Sequence, residues 1–477
     1  MSNPTTRANP NPNPNPNSHG YEHLSHWFEQ LAPLGPPRPA LERSRDADVC
    51  IVGGGFTGLW TAYELKRADP SLDVVVLEAE IAGFGASGRN GGWVLGELAG
   101  SPERWAARSG RDATVALGRA IADTVAEVGH VVEREGIGCD FVRGGTLQVA
   151  QTPLQLERVR AVVDHDRAWG MGPQDSVLLG AQDAAGRVAV DGVLGARYFA
   201  HCARVQPAAL ARGLAEAVER SGVVIHEHTP VSRIEPGAAY PSGSIVRSRF
   251  IVRATEGYTA RLAGLKRALL PMNSSMIVTE PLGESAWSEL RWDGCETLHD
   301  GHHRYVYLQR TADGRIAIGG RGNPYRYSSA SDREGPLPRQ TIDALKARLV
   351  RLFPSLDGVA VGGAWHGVLG VPRDWSPVVG LDRSTGLAWA GGYVGEGVAA
   401  ANLAGRTLCD LLLGRDTELA RLPWVGRPAR GWEPEPLRFL GVHSVNALLA
   451  AADRREDASG RPAVTARLAR IISGRDF

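Results

Sequence analysis

Cysteine is scarce in this chain: five residues in 477, namely Cys50, Cys139, Cys202, Cys295 and Cys409. Their number is odd and no two stand in a CxxC or zinc-like spacing. That excludes a disulfide framework and a cysteine-built metal site, and it suits free thiols in a reducing compartment. Neither sign of charge dominates. Lys plus Arg number 53 against 52 for Asp plus Glu, so no basic stripe forms, and neither nucleic acid nor a membrane surface is expected as the partner. No apolar run approaches transmembrane length. The best candidate, residues 398–413, carries Asn402, Arg406 and Asp410 at helical spacing, a polar stripe that marks an amphipathic helix laid on a sheet. The start, MSNPTTRANPNPNPNPNSHG, has no apolar core for a signal peptide, and alternating Asn and Pro cannot bury surface. A disordered Asn/Pro-rich arm and lead-in is expected over residues 1–45, and the expected location is the cytoplasm.

Glycine is abundant instead, and its placement is informative. From Asp48 to Glu78 the chain reads DVCIVGGGFTGLWTAYELKRADPSLDVVVLE. A β-branched run (Val49, Ile51, Val52) enters Gly53-x-Gly55-x-x-Gly58, a helix-period segment follows to Ala68, and a second apolar run, Val74 to Leu77, ends on Glu78. This is a βαβ unit with a dinucleotide fingerprint. Gly53 permits the tight turn, Gly55 lets backbone approach a pyrophosphate, and Gly58 lets helix and strand pack closely. Phe56 and Thr57 lie in the first turn, whose amides and positive helix end face phosphates. Glu78 stands where a carboxylate accepts hydrogen bonds from ribose hydroxyls. The segment after it, AEIAGFGASGRNGGW (Ala79 to Trp93), is crowded with small residues, as a second pass of chain beside a large flat cofactor requires.

At this point the sequence resembles the glycine/D-amino-acid oxidase superfamily of FAD enzymes, and within it the gamma-glutamylputrescine-oxidase-like amine oxidases. These carry a segment similar to GFGASGRNGG, here Gly83 to Gly92. The resemblance covers roughly residues 46–414. It implies that Ala79 and Gly85, Ala86, Ser87 and Gly88 lie along the phosphate or ribityl part of FAD, and that Arg89, Asn90, Gly91 and Gly92 lie close to the flavin ring. Ala254, Thr255 and Gly257 of IVRATEGYT resemble the family's strand-end turn beside the pyrophosphate. Many relatives have Asn where this chain has Glu256, so no side-chain role is carried over there. Gly392, Tyr393, Gly395, Gly397 and Val398 resemble the loop and helix start that pass the pyrimidine edge of the flavin, where a helix N-terminus stabilises negative charge. Relatives carry His at the position of Glu396, so this carboxylate is expected to point away from the ring or toward a cationic substrate. Val231 matches a position that touches adenine through backbone. Relatives that attach flavin through a cysteine do so in a segment where this chain has none, residues 362–380. Others use a histidine shortly after the Ser-Gly motif, and residues 90–100 contain none. Non-covalent FAD is therefore expected.

The implied fold is α/β: a Rossmann-like FAD/NAD(P)-binding domain with an interleaved α+β substrate domain built on an antiparallel sheet, D-amino-acid-oxidase-like. The cofactor blocks fall at 46–105, 200–260 and 362–415, the substrate domain at 106–199 and 261–361, and a helical extension at 416–477. Strands are expected at Gly145 to Ala150, Met272 to Glu280, Arg304 to Gln309 and Arg315 to Gly320, and helices at Pro153 to Trp169 and Pro207 to Arg220. The tail aromatics Trp424 and Trp432 are expected to cover the core.

The chain has neither a second strand–GxGxxG–helix unit for a pyridine nucleotide nor a redox CxxC, so the flavin must take electrons from a substrate. The resemblance implies a primary or secondary amine or an amino acid. Its Cα–H hydride goes to flavin N5, the imine hydrolyses to a carbonyl, and oxygen accepts the electrons to give hydrogen peroxide. A dehydrogenase using another acceptor, and a flavin-binding subunit of a larger complex, remain alternatives; a homo-oligomer is possible. For the substrate, Tyr305 and Tyr307 alternate along RYVYLQR and could line a pocket floor or be ordinary strand aromatics. Arg321 could clamp a carboxylate or phosphonate bidentately or be a solvated loop arginine. His366, beside Trp365, could adjust flavin or amine protonation or be structural. The run His299-Asp300-Gly301-His302-His303 reads as a solvated turn rather than a metal site.

Overall fold

The computed structural model describes residues 20–474 apart from 321, 323 and 332–336. Arg45–Val52 forms the first strand, with residues 49 to 52 buried, and Phe56–Ala68 the helix that follows. Val74–Leu77 is buried at every position, as a strand covered on both faces of a parallel sheet must be. Gly53 takes φ +113° in the turn, and a Cβ on Gly58 would sit 2.0 Å from the Gly53 carbonyl oxygen. The helix can settle on the strand only with glycine there.

The first sheet runs Val378–Asp382, Leu387–Gly391, Val246–Arg253, Arg45–Val52, Val74–Leu77, Val224–His226. Along this path the pairs are parallel except for the hairpin at the 378–391 edge, and Ala238–Pro241 joins Val246–Arg253 antiparallel off the path. One face packs on the helices Phe56–Ala68, Pro207–Arg220 and Gly397–Leu413. The other is covered by the small hairpin Val231–Glu235 and Ala238–Pro241, through Ile234 and Ala239. A Cβ on Gly405 would lie 2.8 Å from the Thr61 amide nitrogen, so this residue sets the close approach of two of those helices.

The second sheet has eight strands, in the order Val361–Val371, Leu270–Thr279, Ile316–Gly320, Tyr307–Arg310, Thr297–Asp300, Thr146–Ala150, Gly195–Phe199, Ser176–Gly180. Leu345, Leu349 and Leu352 of helix Arg339–Leu352 close one of its faces.

Several expectations need correction. The block 362–415 does not belong wholly with the first sheet, because Val361–Val371 pairs along its length with Leu270–Thr279. The second sheet is mixed, with Thr297–Asp300 parallel to Thr146–Ala150. Residues 20–45 are not a disordered lead-in. His26–Glu29 is helical, Trp27 and Phe28 are buried, and Trp27 Nε1 donates to the Asn90 carbonyl at 2.9 Å; the Asn/Pro repeat itself lies outside the described residues. Asn402 does not share a solvent-facing stripe with Arg406 and Asp410 but is fully buried, its amide without a hydrogen-bond partner. Trp424 and Trp432 are both buried.

Candidate active site

A cavity of about 1080 Å³ is lined by residues of both sheets. At one end stand Gly53, Gly55, Phe56 and Thr57, then Glu78 and Ala79, with Val231 nearby. Gly58 is not in the wall; its place is against the strand. Glu78 accepts from the Gly54 amide at 2.6 Å and the Glu80 amide at 3.0 Å, while burial pushes its carboxyl up to about 7. Ser87 Oγ accepts from the Phe56 amide at 2.9 Å, which brings the second glycine-rich pass directly over the helix N-terminus.

That pass contributes Gly85, Ala86, Ser87, Arg89, Asn90 and Gly91 to the wall. Gly88 and Gly92 are packing positions instead: a Cβ would meet the Phe28 ring at 2.4 Å and the Gln309 amide at 2.0 Å. Asn90 spends its side chain on the turn, donating to the carbonyls of Ala86 and Ser87 and accepting from the Gly92 amide. Arg89 is buried, donates to the Tyr258 hydroxyl at 2.6 Å and lies over the Phe84 ring.

Ala254 and Thr255 line the cavity, as do Tyr393, Gly395, Gly397 and Val398. Gly257 packs under Val368 and Gly392 against Pro372, so neither reaches the wall. Joining these segments is Glu256, to which sequence reasoning gave no role. Its carboxylate accepts from the Gly392 amide at 2.9 Å and also from the amides of Tyr393 and Gly370. Burial nevertheless pushes its carboxyl from 4.5 up to about 7.

The folded state therefore holds the Glu256 proton across a pH window in which the unfolded chain has released it. Stability from this group is fully present below about 4.5 and falls as pH rises to about 7. In flavin-free protein, the melting-temperature difference between Glu256→Gln and the parent should move in the variant's favour as pH rises through that window. The shift should be on the order of 2 kcal/mol; a difference that stays flat contradicts it.

The far end of the cavity follows from sheet register. Gly319, Tyr307, His299, Gln148 and Arg197 are directly opposed residues on five neighbouring strands. Tyr307, His299 and Gln148 line the cavity, and Tyr305 joins them from just before its strand. Tyr307 bonds to the Ser274 hydroxyl at 2.8 Å, and a Cβ on Gly91 would lie 2.7 Å from its ring. The expected strand from Arg304 therefore begins only at Tyr307. Burial holds His299 down to about 4, so its ring is neutral near pH 7. His366 is not in the wall, although its carbonyl accepts from Arg89 at 3.4 Å; Arg321 lies outside the described residues. Glu396 lines this end.

The His299 to His303 turn is buried rather than solvated. Asp300 bonds to Arg348, and His302 and His303 meet Asp457 and Glu456 of helix Leu437–Ser459. The C-terminal segment thus packs beside the site, and Arg470 of its last helix reaches the cavity.

A glycine turn under a helix N-terminus, an acid at the end of the second strand and a wall of small residues leading to a polar sheet face together accommodate a flavin dinucleotide. The two sheets and the cavity between their residues define a fold of the dinucleotide-binding class. Residues 48–411 match the model of the FAD dependent oxidoreductase family (DAO), and the chain belongs to that family. It is 31% identical over 431 residues to the gamma-glutamylputrescine oxidoreductase of Escherichia coli (strain K12), covering 88% of this chain and 97% of that protein. It is 23% identical over 382 residues to a glycine oxidase of Bacillus licheniformis, covering 77% of this chain and 93% of that one. Among solved structures, glycine oxidase from Geobacillus kaustophilus superimposes with a TM-score of 0.67 at 21% identity, over 81% of this chain and all of that one. No helix among the described residues is long and apolar enough to cross a membrane.

Proposed function

We propose that the protein oxidises a C–N bond of a primary or secondary amine or amino acid to an imine, which hydrolyses to a carbonyl, with oxygen as acceptor and hydrogen peroxide as product. The observation that carries this reading is one continuous cavity joining the fingerprint turn to the polar sheet face at Tyr307 and His299. The relatives named for amine and amino-acid oxidation support it. When bound, FAD supplies the two-electron acceptor for the substrate Cα–H hydride.

The chain supplies the setting. Gly53, Gly55 and the amides of Phe56 and Thr57 hold the pyrophosphate, Glu78 the ribose, Val231 the adenine, and Arg89, Gly91 and the Tyr393 to Val398 loop the ring. The opening turn of Gly397–Leu413 adds the positive end of a helix dipole to the cavity wall. Substrate amine must be neutral to release hydride, and a site walled by Trp93, Tyr305, Tyr307 and neutral His299 disfavours an extra proton. None of the five cysteines lines the cavity, consistent with non-covalent FAD, and none forms a disulfide, which suits the cytoplasm.

A panel of amines and amino acids read by peroxide release tests the proposal. At least one amine should give peroxide and carbonyl in equal amounts. Carbonyl formed only with an added dye as acceptor would replace the oxidase by a dehydrogenase, and no response to any member would remove the amine reading.

A further inference from the structure

We propose that Glu97 reads a second, cationic group on the substrate, making the preferred substrate an amine with a distal ammonium such as an α,ω-diamine or polyamine. This rests on the amine-oxidation reading and adds the substrate's chemical class to it.

Glu97 follows the short strand Trp93–Leu95 and lines the cavity, with 33% of its side chain accessible. It is anchored from behind by Arg197, which is 4% accessible and stands in the polar row beside Gln148. The same guanidinium also binds Asp166 at 2.7 Å. Two carboxylates thus share one cation, and the surplus charge is negative. Burial alone would raise the Glu97 carboxyl, but Arg197 overcomes it and holds it below the usual range, whereas burial raises that of Asp166. Glu97 is therefore the firmly ionised partner.

Two neighbouring groups that could cancel this charge do not. His299 is neutral. Arg158, which lines the same end, is taken up by Glu456 at 2.7 Å and the Gly301 carbonyl at 2.9 Å. Glu396 adds a further carboxylate to the wall; burial raises the Cys202 thiol most, and Glu97 and Glu396 both add to that rise, so the two flank one region.

Between the flavin end and Glu97 the wall is aromatic. Tyr307 meets Trp93 edge-on at 6.1 Å, Trp93 meets His299 at 6.0 Å, and His299 meets Tyr305 at 5.7 Å. Rings suit a methylene chain along its length and a cation near their faces. Tyr307 and Arg197 lie three strands apart, which at ~4.8 Å per strand sets a span of roughly 14 Å. A substrate with its reacting amine beside Tyr307 and its ammonium at Glu97 would lie along that row, and Glu97, reaching in to meet the Arg197 guanidinium, shortens the distance to be bridged.

The test uses FAD-loaded full-length protein and steady-state kinetics on diaminoalkanes from 1,4-diaminobutane to 1,8-diaminooctane, each paired with the monoamine of equal length. The parent should favour at least one diamine over its monoamine by about tenfold or more in kcat/KM. Glu97→Gln should collapse that ratio through KM for the diamine, and Glu97→Asp should restore part of it; charge pairs at desolvated sites produce effects of this size. If Glu97→Gln fails to load FAD, the parent's ratios decide alone. Equal use of diamines and monoamines, or a Glu97→Gln loss common to both, overturns the Glu97 assignment while leaving amine oxidation standing. Failure of every amine and amino acid to reduce the flavin overturns both.

Discussion

Gly58→Ala is expected to give a protein that no longer retains flavin and melts well below the parent. Alanine is ordinarily the better helix residue by about 1 kcal/mol, so propensity alone predicts the opposite sign. Space decides the matter. The new Cβ would lie 2.0 Å from the Gly53 carbonyl oxygen and 3.1 Å from Ile51 Cγ2. The nearest atom is backbone in the turn itself and cannot rotate away, so the helix must lift off the strand or the turn must open. Overpacking of this kind costs about 1–3 kcal/mol in stability. The same displacement spoils the phosphate cradle, and FAD affinity should fall by about a hundredfold or more, close to 3 kcal/mol. Gly186→Ala is the control, since nothing lies within 4 Å of its Cβ on helix Ala181–Arg187. It should leave flavin content intact and stability equal or slightly higher. Equal flavin content in both variants would contradict the packing argument.

Glu256→Ala is expected to weaken flavin binding by a different route. The fingerprint turn stays intact, but the amides of Gly370, Gly392 and Tyr393 lose their common acceptor. A buried donor left without a partner costs about 1–3 kcal/mol, so three stranded at once should loosen the loop that carries Tyr393 to Val398. Flavin content should drop severalfold, and protease cleavage in 391–397 should become measurable when FAD is removed. Glu256→Gln, which keeps an acceptor oxygen, should be milder. If the alanine variant binds FAD like the parent, the loop is held by something else.

The contrast between these two residues marks what the sequence discloses. Gly53, Gly55, Gly58 and Glu78 were legible because their chemistry is local: a turn, a helix start and a strand end within one βαβ unit. The second pass, Gly85 to Gly91, was legible as a wall of small residues. Gly88 within it and Gly92 just after it, however, serve packing against Phe28 and Gln309, which composition cannot distinguish from cofactor contact. Glu256 was missed because its meaning depends on amides more than 110 positions away in sequence, brought together only by the crossing of two sheets. Glu97 and Arg197 stand 100 residues apart, and the row that aligns Arg197 with Gln148, His299 and Tyr307 exists only once four strands have chosen their register. His366, singled out by its place in a promising segment, is not in the cavity wall, which this strand reaches at Gly367, Val368 and Leu369 instead. Trp27 was hidden by the low-complexity repeat before it, although a residue that size demands burial.

The account stands on one cavity that seats a flavin at the Gly53 turn and delivers an amine to it. Anaerobic mixing of the purified yellow protein with the best substrate from the amine panel, followed at the visible absorbance band of the oxidised flavin, measures this directly. The account predicts loss of the band in a single turnover and its return on admitting air. A protein that shows no flavin absorbance even after FAD is supplied, or whose band is untouched by every amine and amino acid, would contradict it.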